Sequence, residues 1–185
     1  IYNSSSENQN VVFSITGGQL RINGSVTLGG DNEYGAVRYD LSSAQIDKTT
    51  VDKYTIDADF EANKINTNND TGIVFGFVDD RNYYAARWTK YGTSYQNSSA
   101  FPGVYRRLEL IKISNGVVST VAFKDDFDVD DPFNLEVIVN EQGTAVCIDD
   151  VATLYSPTEQ PLLNDIGILT YDNDVGVEVN QVTLR

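Results

Sequence analysis

The chain has 185 residues, enough for one domain that buries its own core, and 13 Lys+Arg against 27 Asp+Glu give a formal charge of −14. A surface that acidic repels phosphate backbones and anionic headgroups, which makes nucleic acid and membrane lipid poor partners and leaves small neutral ligands and divalent cations. Histidine is absent, which removes Ser-His-Asp and Cys-His triads, His-ligated zinc and the usual general base at neutral pH.

Residues 1–10, polar and rich in Ser and Asn, read as a loose lead-in. Beyond them nearly every segment alternates with period two, which predicts strands at 11–15, 19–28, 35–40, 54–60, 72–78, 82–90, 104–113, 117–123, 134–140, 144–149, 166–171 and 175–184. In the clearest, Tyr54, Ile56, Ala58 and Phe60 share one face and Thr55, Asp57 and Asp59 the other. No longer stretch has helical periodicity, although Leu41 to Ile46 admits one short turn. Asn115-Gly116 between two apolar runs is a type I′ hairpin signature, and Glu141-Gln142-Gly143 and Asp149-Asp150 mark two further turns. Antiparallel strands with no helices to cover them predict an all-β fold, two packed sheets in one domain spanning 1–185.

Cys147 stands alone in the apolar run Ala145–Ile148, so it reads as a small buried residue and no internal disulfide is possible. No apolar stretch reaches transmembrane length, so membrane insertion is not expected. Methionine is absent and the first residue is Ile1, which leads us to expect a piece of a larger parent chain.

The stretch Thr71-Gly-Ile-Val-Phe-Gly-Phe-Val-Asp-Asp-Arg-Asn-Tyr-Tyr84 resembles the central motif of laminin-G-like, concanavalin-A-like jelly rolls. Leu108–Lys112 before Asn115-Gly116, Asn134–Val139, Ile166–Tyr171 and a last strand from Val175 to Leu184 follow in the matching order, so the likeness covers residues 50–185. The segment before residue 50 fits a strand pair completing the sandwich. The superfamily includes lectins, carbohydrate-binding modules, glycosidases, lyases and adhesin spacers, so the resemblance implies the fold far more narrowly than the ligand. It also implies structural calcium and, among bacterial surface proteins, an extracellular or cell-surface setting.

Asp125, Asp126, Asp128, Asp130 and Asp131 place five carboxylates in seven residues ahead of Pro132. Their repulsion is costly unless water or a cation relieves it. The run fails as an EF-hand, because Asp131 replaces the required Gly and Val137 the bidentate Glu. Candidate calcium ligands are Asp125, Asp126, Asp128 and Asp130, with Asp172 and Asp174, or Asp31 and Glu33, completing a site from other loops; a solvated loop is the plain alternative.

Aromatic and basic residues concentrate between Arg81 and Arg107. The Tyr91–Gly103 stretch is long for a hairpin loop and rich in Tyr, Ser and Asn, a composition that lets rings stack on sugar C–H faces while amides and guanidinium forks bind hydroxyls. The candidate ligand residues are Arg81, Tyr83, Arg87, Tyr91, Tyr95, Asn97, Tyr105 and Arg106. Alternation puts Arg87 and Tyr83 on one face of their strand and Trp88, Tyr84 and Ala86 on the core face.

Asp57, Asp59 and Glu61 share a strand face, but Asp57-Ala-Asp-Phe-Glu61 departs from the Glu-x-Asp-x-x-Glu of the superfamily's glucanases, and its lyases use a His that is missing here. No catalytic residue is assigned. The leading expectation is a non-catalytic, glycan-binding, lectin-like domain of a larger secreted or cell-surface bacterial protein such as an adhesin, with calcium-stabilised loops. The alternatives are a calcium-stabilised spacer or protein-binding module and, behind it, a glycan-cleaving enzyme.

Overall fold

The computed structural model describes residues 12–16, 19–28, 34–39, 41, 51, 53–62, 68–91, 106–129, 132–171 and 177–184. Thirteen strands run through them: β1 (Val12–Thr16), β2 (Gln19–Leu28), β3 (Tyr34–Tyr39), β4 (Tyr54–Ala62), β5 (Asn68–Asp79), β6 (Asn82–Tyr91), β7 (Arg106–Ser114), β8 (Val117–Asp125), β9 (Phe133–Asn140), β10 (Gly143–Ile148), β11 (Val151–Ser156), β12 (Asp165–Tyr171) and β13 (Val177–Leu184). A seven-stranded sheet has the order β1-β2-β13-β4-β9-β10-β11, and a six-stranded sheet the order β3-β12-β5-β6-β7-β8. Both are antiparallel throughout. The all-β sandwich expected from alternation is the observed fold, and no helix among the described residues is long and apolar enough to cross a membrane.

One strand, β11, is missing from the sequence reading. Only Leu154 and Ser156 of its six residues are buried, because it lies at a sheet edge and has little apolar face to alternate. The segment before residue 50 supplies the β1–β2 pair to one sheet and β3 to the other, and Leu41, a single 3₁₀ position, is fully buried.

The core is built by the period-two faces. Strand β9 buries Phe133, Leu135, Val137 and Val139 in strict alternation, against Tyr54, Ile56, Ala58 and Phe60 of β4. Phe133 stacks on its cross-strand partner Phe60, centroids 5.4 Å apart, and across the sheet interface meets the edge of Trp88 from the six-stranded sheet at 6.2 Å. Trp88 is 1% exposed and donates its indole N–H to the Phe127 carbonyl at 2.9 Å, so its polar end is satisfied where its ring is buried. Cys147 is buried as expected; burial, with the Glu136 carboxylate beside it, pushes its thiol pKa up to about 11.

Two of the expected hairpin turns, each leading into an edge strand, follow their chemistry. Asn115 and Gly116 have φ of 52° and 81°, and Asp149 and Asp150 have 49° and 64°, the left-handed pairs that a tight hairpin needs and that Asn, Asp and Gly tolerate best. At one end of the sandwich the segment after β11 is clasped by both sheets. The Tyr54 hydroxyl donates to the Pro161 carbonyl at 2.9 Å, the Thr144 hydroxyl to the Glu159 carbonyl at 2.6 Å, and Tyr84 and Lys112 to the Glu159 carboxylate at 2.5 and 3.0 Å.

Candidate functional site

Strand β6 serves two surfaces. Tyr84, Ala86 and Trp88 belong to the main core, whereas Ala85 joins Val74, Phe77, Ile111 and Ile113 in a second buried cluster against which Tyr83 and Leu169 pack. That second cluster lies on the outer face of the six-stranded sheet. Its buried side chains form a floor there, and the Tyr83 ring leans on Phe77 with centroids 5.9 Å apart. Burial pushes the Tyr83 phenol pKa up, with the Arg87 guanidinium opposing and Asp80 reinforcing the shift.

Beside this floor the ladder lines up Leu169, Gly72, Arg87, Glu109 and Phe123 on successive strands. Arg87 and Glu109 are direct cross-strand partners. Nε and Nη2 of Arg87 reach Glu109 Oε1 at 2.7 and 2.5 Å, with side-chain exposures of 18% and 6%. A charged pair this sheltered from water holds its geometry far better than a surface pair.

Gly72 is required for the seating of Arg87. A Cβ there would lie 2.3 Å from the Ala86 carbonyl oxygen and 2.7 Å from Arg87 Cβ, closer than atoms can approach, so only glycine lets β5 and β6 pair at this point.

On the other side of Glu109 stands Phe123, 54% exposed. The Arg107 guanidinium sits 4.6 Å from its ring centroid and pairs through Nε with Asp125 at 2.6 Å. Arg107 thereby braces one face of an exposed ring. The row offers a donor–acceptor pair beside an aromatic platform, the combination that hydroxyl-bearing, C–H-faced ligands use.

Of the expected ligand residues, the structure brings Tyr83 and Arg87 onto this face. Arg81 is instead at the end of the hairpins, exposed, donating from Nη2 to the Asn115 carbonyl at 2.9 Å. Arg106 points away from Arg107 and pairs with Asp128. Tyr91 closes β6, but its side chain and all of Tyr95, Asn97 and Tyr105 lie outside the described residues.

Of the expected calcium ligands, Asp125 pairs with Arg107 and Asp128 with Arg106, so arginine relieves part of the acidic run's repulsion. Asp126 occupies a left-handed position, φ 52°, just after β8. Asp130, Asp172, Asp174, Asp31 and Glu33 lie outside the described residues. Among the described residues no three acidic or cysteine side chains are grouped to hold a metal.

Sequence reasoning missed Glu109, Gly72 and Phe123, and counted Arg107 in the basic cluster without making it a candidate ligand residue. Alternation along the strand predicted at 104–113 is the signal that could have placed Arg107 and Glu109 on one face. What it lacked was the register that sets Glu109 opposite Arg87, fixed across the long connection between β6 and β7.

On the outer face of the other sheet, Asn134 Nδ2 donates to Asp57 Oδ1 at 3.1 Å and Asp59 Oδ1 at 2.9 Å. Both carboxylates are thus held by a neutral amide.

No protein-family model and no curated protein sequence matches the chain. Solved structures do match in fold. The carbohydrate-binding module CBM66 from Bacillus subtilis aligns with a TM-score of 0.55 at 13% identity, covering 100% of this chain and 99% of that one. The metal-free carbohydrate recognition domain of Emp46p aligns with a TM-score of 0.59 at 10% identity, covering 95% and 85%. The GH43 protein BlXynB from Bacillus licheniformis, as a K247S mutant, aligns at 0.52 and 11%, covering 90% of this chain but 32% of that one. At these identities the likeness establishes the two-sheet antiparallel β-sandwich fold and nothing finer.

Proposed function

We propose that the protein is a non-catalytic carbohydrate-binding domain whose glycan site is the outer face of the six-stranded sheet. The observation that carries this reading is the row Arg87–Glu109–Phe123. A sugar ring stacks its C–H face on Phe123 while adjacent hydroxyls exchange hydrogen bonds with the Arg87 guanidinium and the Glu109 carboxylate, and Tyr83 bounds the site along the sheet. Tyr91, Tyr95, Asn97 and Tyr105 remain sequence-based candidates for further sugar contacts in this proposal. The fold's use in carbohydrate recognition domains supports this reading.

The larger setting that fits is a secreted or cell-surface bacterial protein such as an adhesin, of which this chain is one part. Calcium is a separate proposal: with Asp125 and Asp128 held by arginines, an ion would draw chiefly on Asp126, Asp130 and the loops holding Asp172, Asp174, Asp31 and Glu33. A glycan array run with and without EDTA tests both ideas. Binding of a defined set of glycans supports the domain's role, and a blank array under both conditions contradicts it. Signal and melting temperature that ignore EDTA and millimolar calcium remove the metal.

A further inference from the structure

Among the described side chains, the two arginines of the outer face are committed within the sheet. Arg87 is held by Glu109, and Arg107, one row along, by Asp125 while lying against Phe123. Each pair sums to zero charge, and around them the chain carries a net charge of −14. An incoming carboxylate or sulfate therefore meets no surplus positive charge among the described side chains of this face. To reach the Arg87 guanidinium it must compete with a carboxylate already tethered at 2.5–2.7 Å in a sheltered position, and it is repelled by Glu109 as it approaches. A sugar hydroxyl faces no such penalty, since it can accept from a guanidinium and donate to a carboxylate at once.

We propose that this face takes uncharged glycans and rejects carboxylated or sulfated ones, with Glu109 as the residue that sets the preference. The inference rests on the carbohydrate-binding reading and narrows it. Glu109 acts in two ways: it supplies the acceptor that a polyol needs, and it cancels the positive charge that an acidic sugar would seek. Gly72 supports both by letting Arg87 sit against its partner.

The test is direct titration with matched pairs of oligosaccharides, each neutral glycan beside its sialylated or uronate-bearing counterpart. For the native protein the neutral member of each bound pair is the tighter ligand, and raising the salt narrows the gap, because screening weakens repulsion from the acidic surface. In Glu109→Gln, which keeps shape and an acceptor but frees the guanidinium charge, the ratio shifts toward the acidic member by about tenfold, the effect of one charge-assisted hydrogen bond.

Tighter binding of the acidic members by the native protein overturns the proposal. So does a folded Glu109→Gln variant whose neutral-to-acidic ratio is unchanged. The titration of the native protein decides the question even if that variant fails to fold. Should no member of any pair bind, the carbohydrate-binding reading itself falls and takes this inference with it.

Discussion

Arg87 and Trp88 are consecutive on β6 and work on opposite sides of the same sheet. Trp88 is sealed in the sandwich against Phe133, while Arg87 forms a guarded ion pair with Glu109 on the outer face. The alternation of a strand sends consecutive residues to opposite faces, here one into the core and one into the proposed site. Substitutions at the two positions therefore have separable consequences.

Trp88→Ala removes the largest buried side chain where the two sheets meet and leaves the Phe127 carbonyl without its donor. We expect a loss of about 3–5 kcal/mol in unfolding free energy, typical of a buried Trp truncation. Urea denaturation followed by circular dichroism measures it, and a loss below about 1 kcal/mol would show that the site repacks.

Arg87→Ala does not leave stability untouched, as a freely exposed arginine would. It strands the nearly buried Glu109 carboxylate, at a cost of about 2–3 kcal/mol, somewhat below a fully buried pair because Arg87 retains some contact with water. The double variant Arg87→Ala/Glu109→Ala should recover part of this. A double-mutant cycle showing no coupling between the two positions would mean that the pair is not formed in solution.

The clasp on Glu159 predicts a pH dependence. Burial pushes the Glu159 pKa up, but hydrogen bonds from Tyr84 and Lys112, with the lysine charge, outweigh it and hold the carboxyl below its ordinary 4.5. A group lowered in the folded state contributes its full stabilisation above the unfolded value, and the contribution disappears as the pH falls from about 4.5 through the lowered folded value. The melting-temperature gap between native protein and Glu159→Gln should be constant above that range and close below it. A gap that persists into acid would assign the clasp to packing alone.

The fold was legible because its determinants are local. Tyr54, Ile56, Ala58 and Phe60 announce a strand with one buried face, and Asn115-Gly116 announces the turn that pairs β7 with β8. Strand β11 was not legible, since an edge strand with mostly exposed residues has no alternation to read. The site was half legible. Alternation placed Arg87 and Tyr83 together and Trp88 in the core, but Glu109 and Phe123 become neighbours of Arg87 only through register, which depends on closing connections whose length the sequence shows and whose geometry it does not. The acidic run illustrates the same limit: its charges are evident in the sequence, while the arginines that meet Asp125 and Asp128 come from another strand.

The central claim, that the outer face of the six-stranded sheet binds glycan, is tested most directly at Phe123. Its ring is 54% exposed and belongs to no core cluster, so Phe123→Ala should leave the melting temperature within a degree or two, roughly the effect expected of a surface substitution. Calorimetric titration with a glycan that binds the native protein should show affinity reduced by about 0.5–1.5 kcal/mol or more, the contribution of one stacked ring. Unchanged affinity in a folded Phe123→Ala protein would contradict the account and move the site off this face.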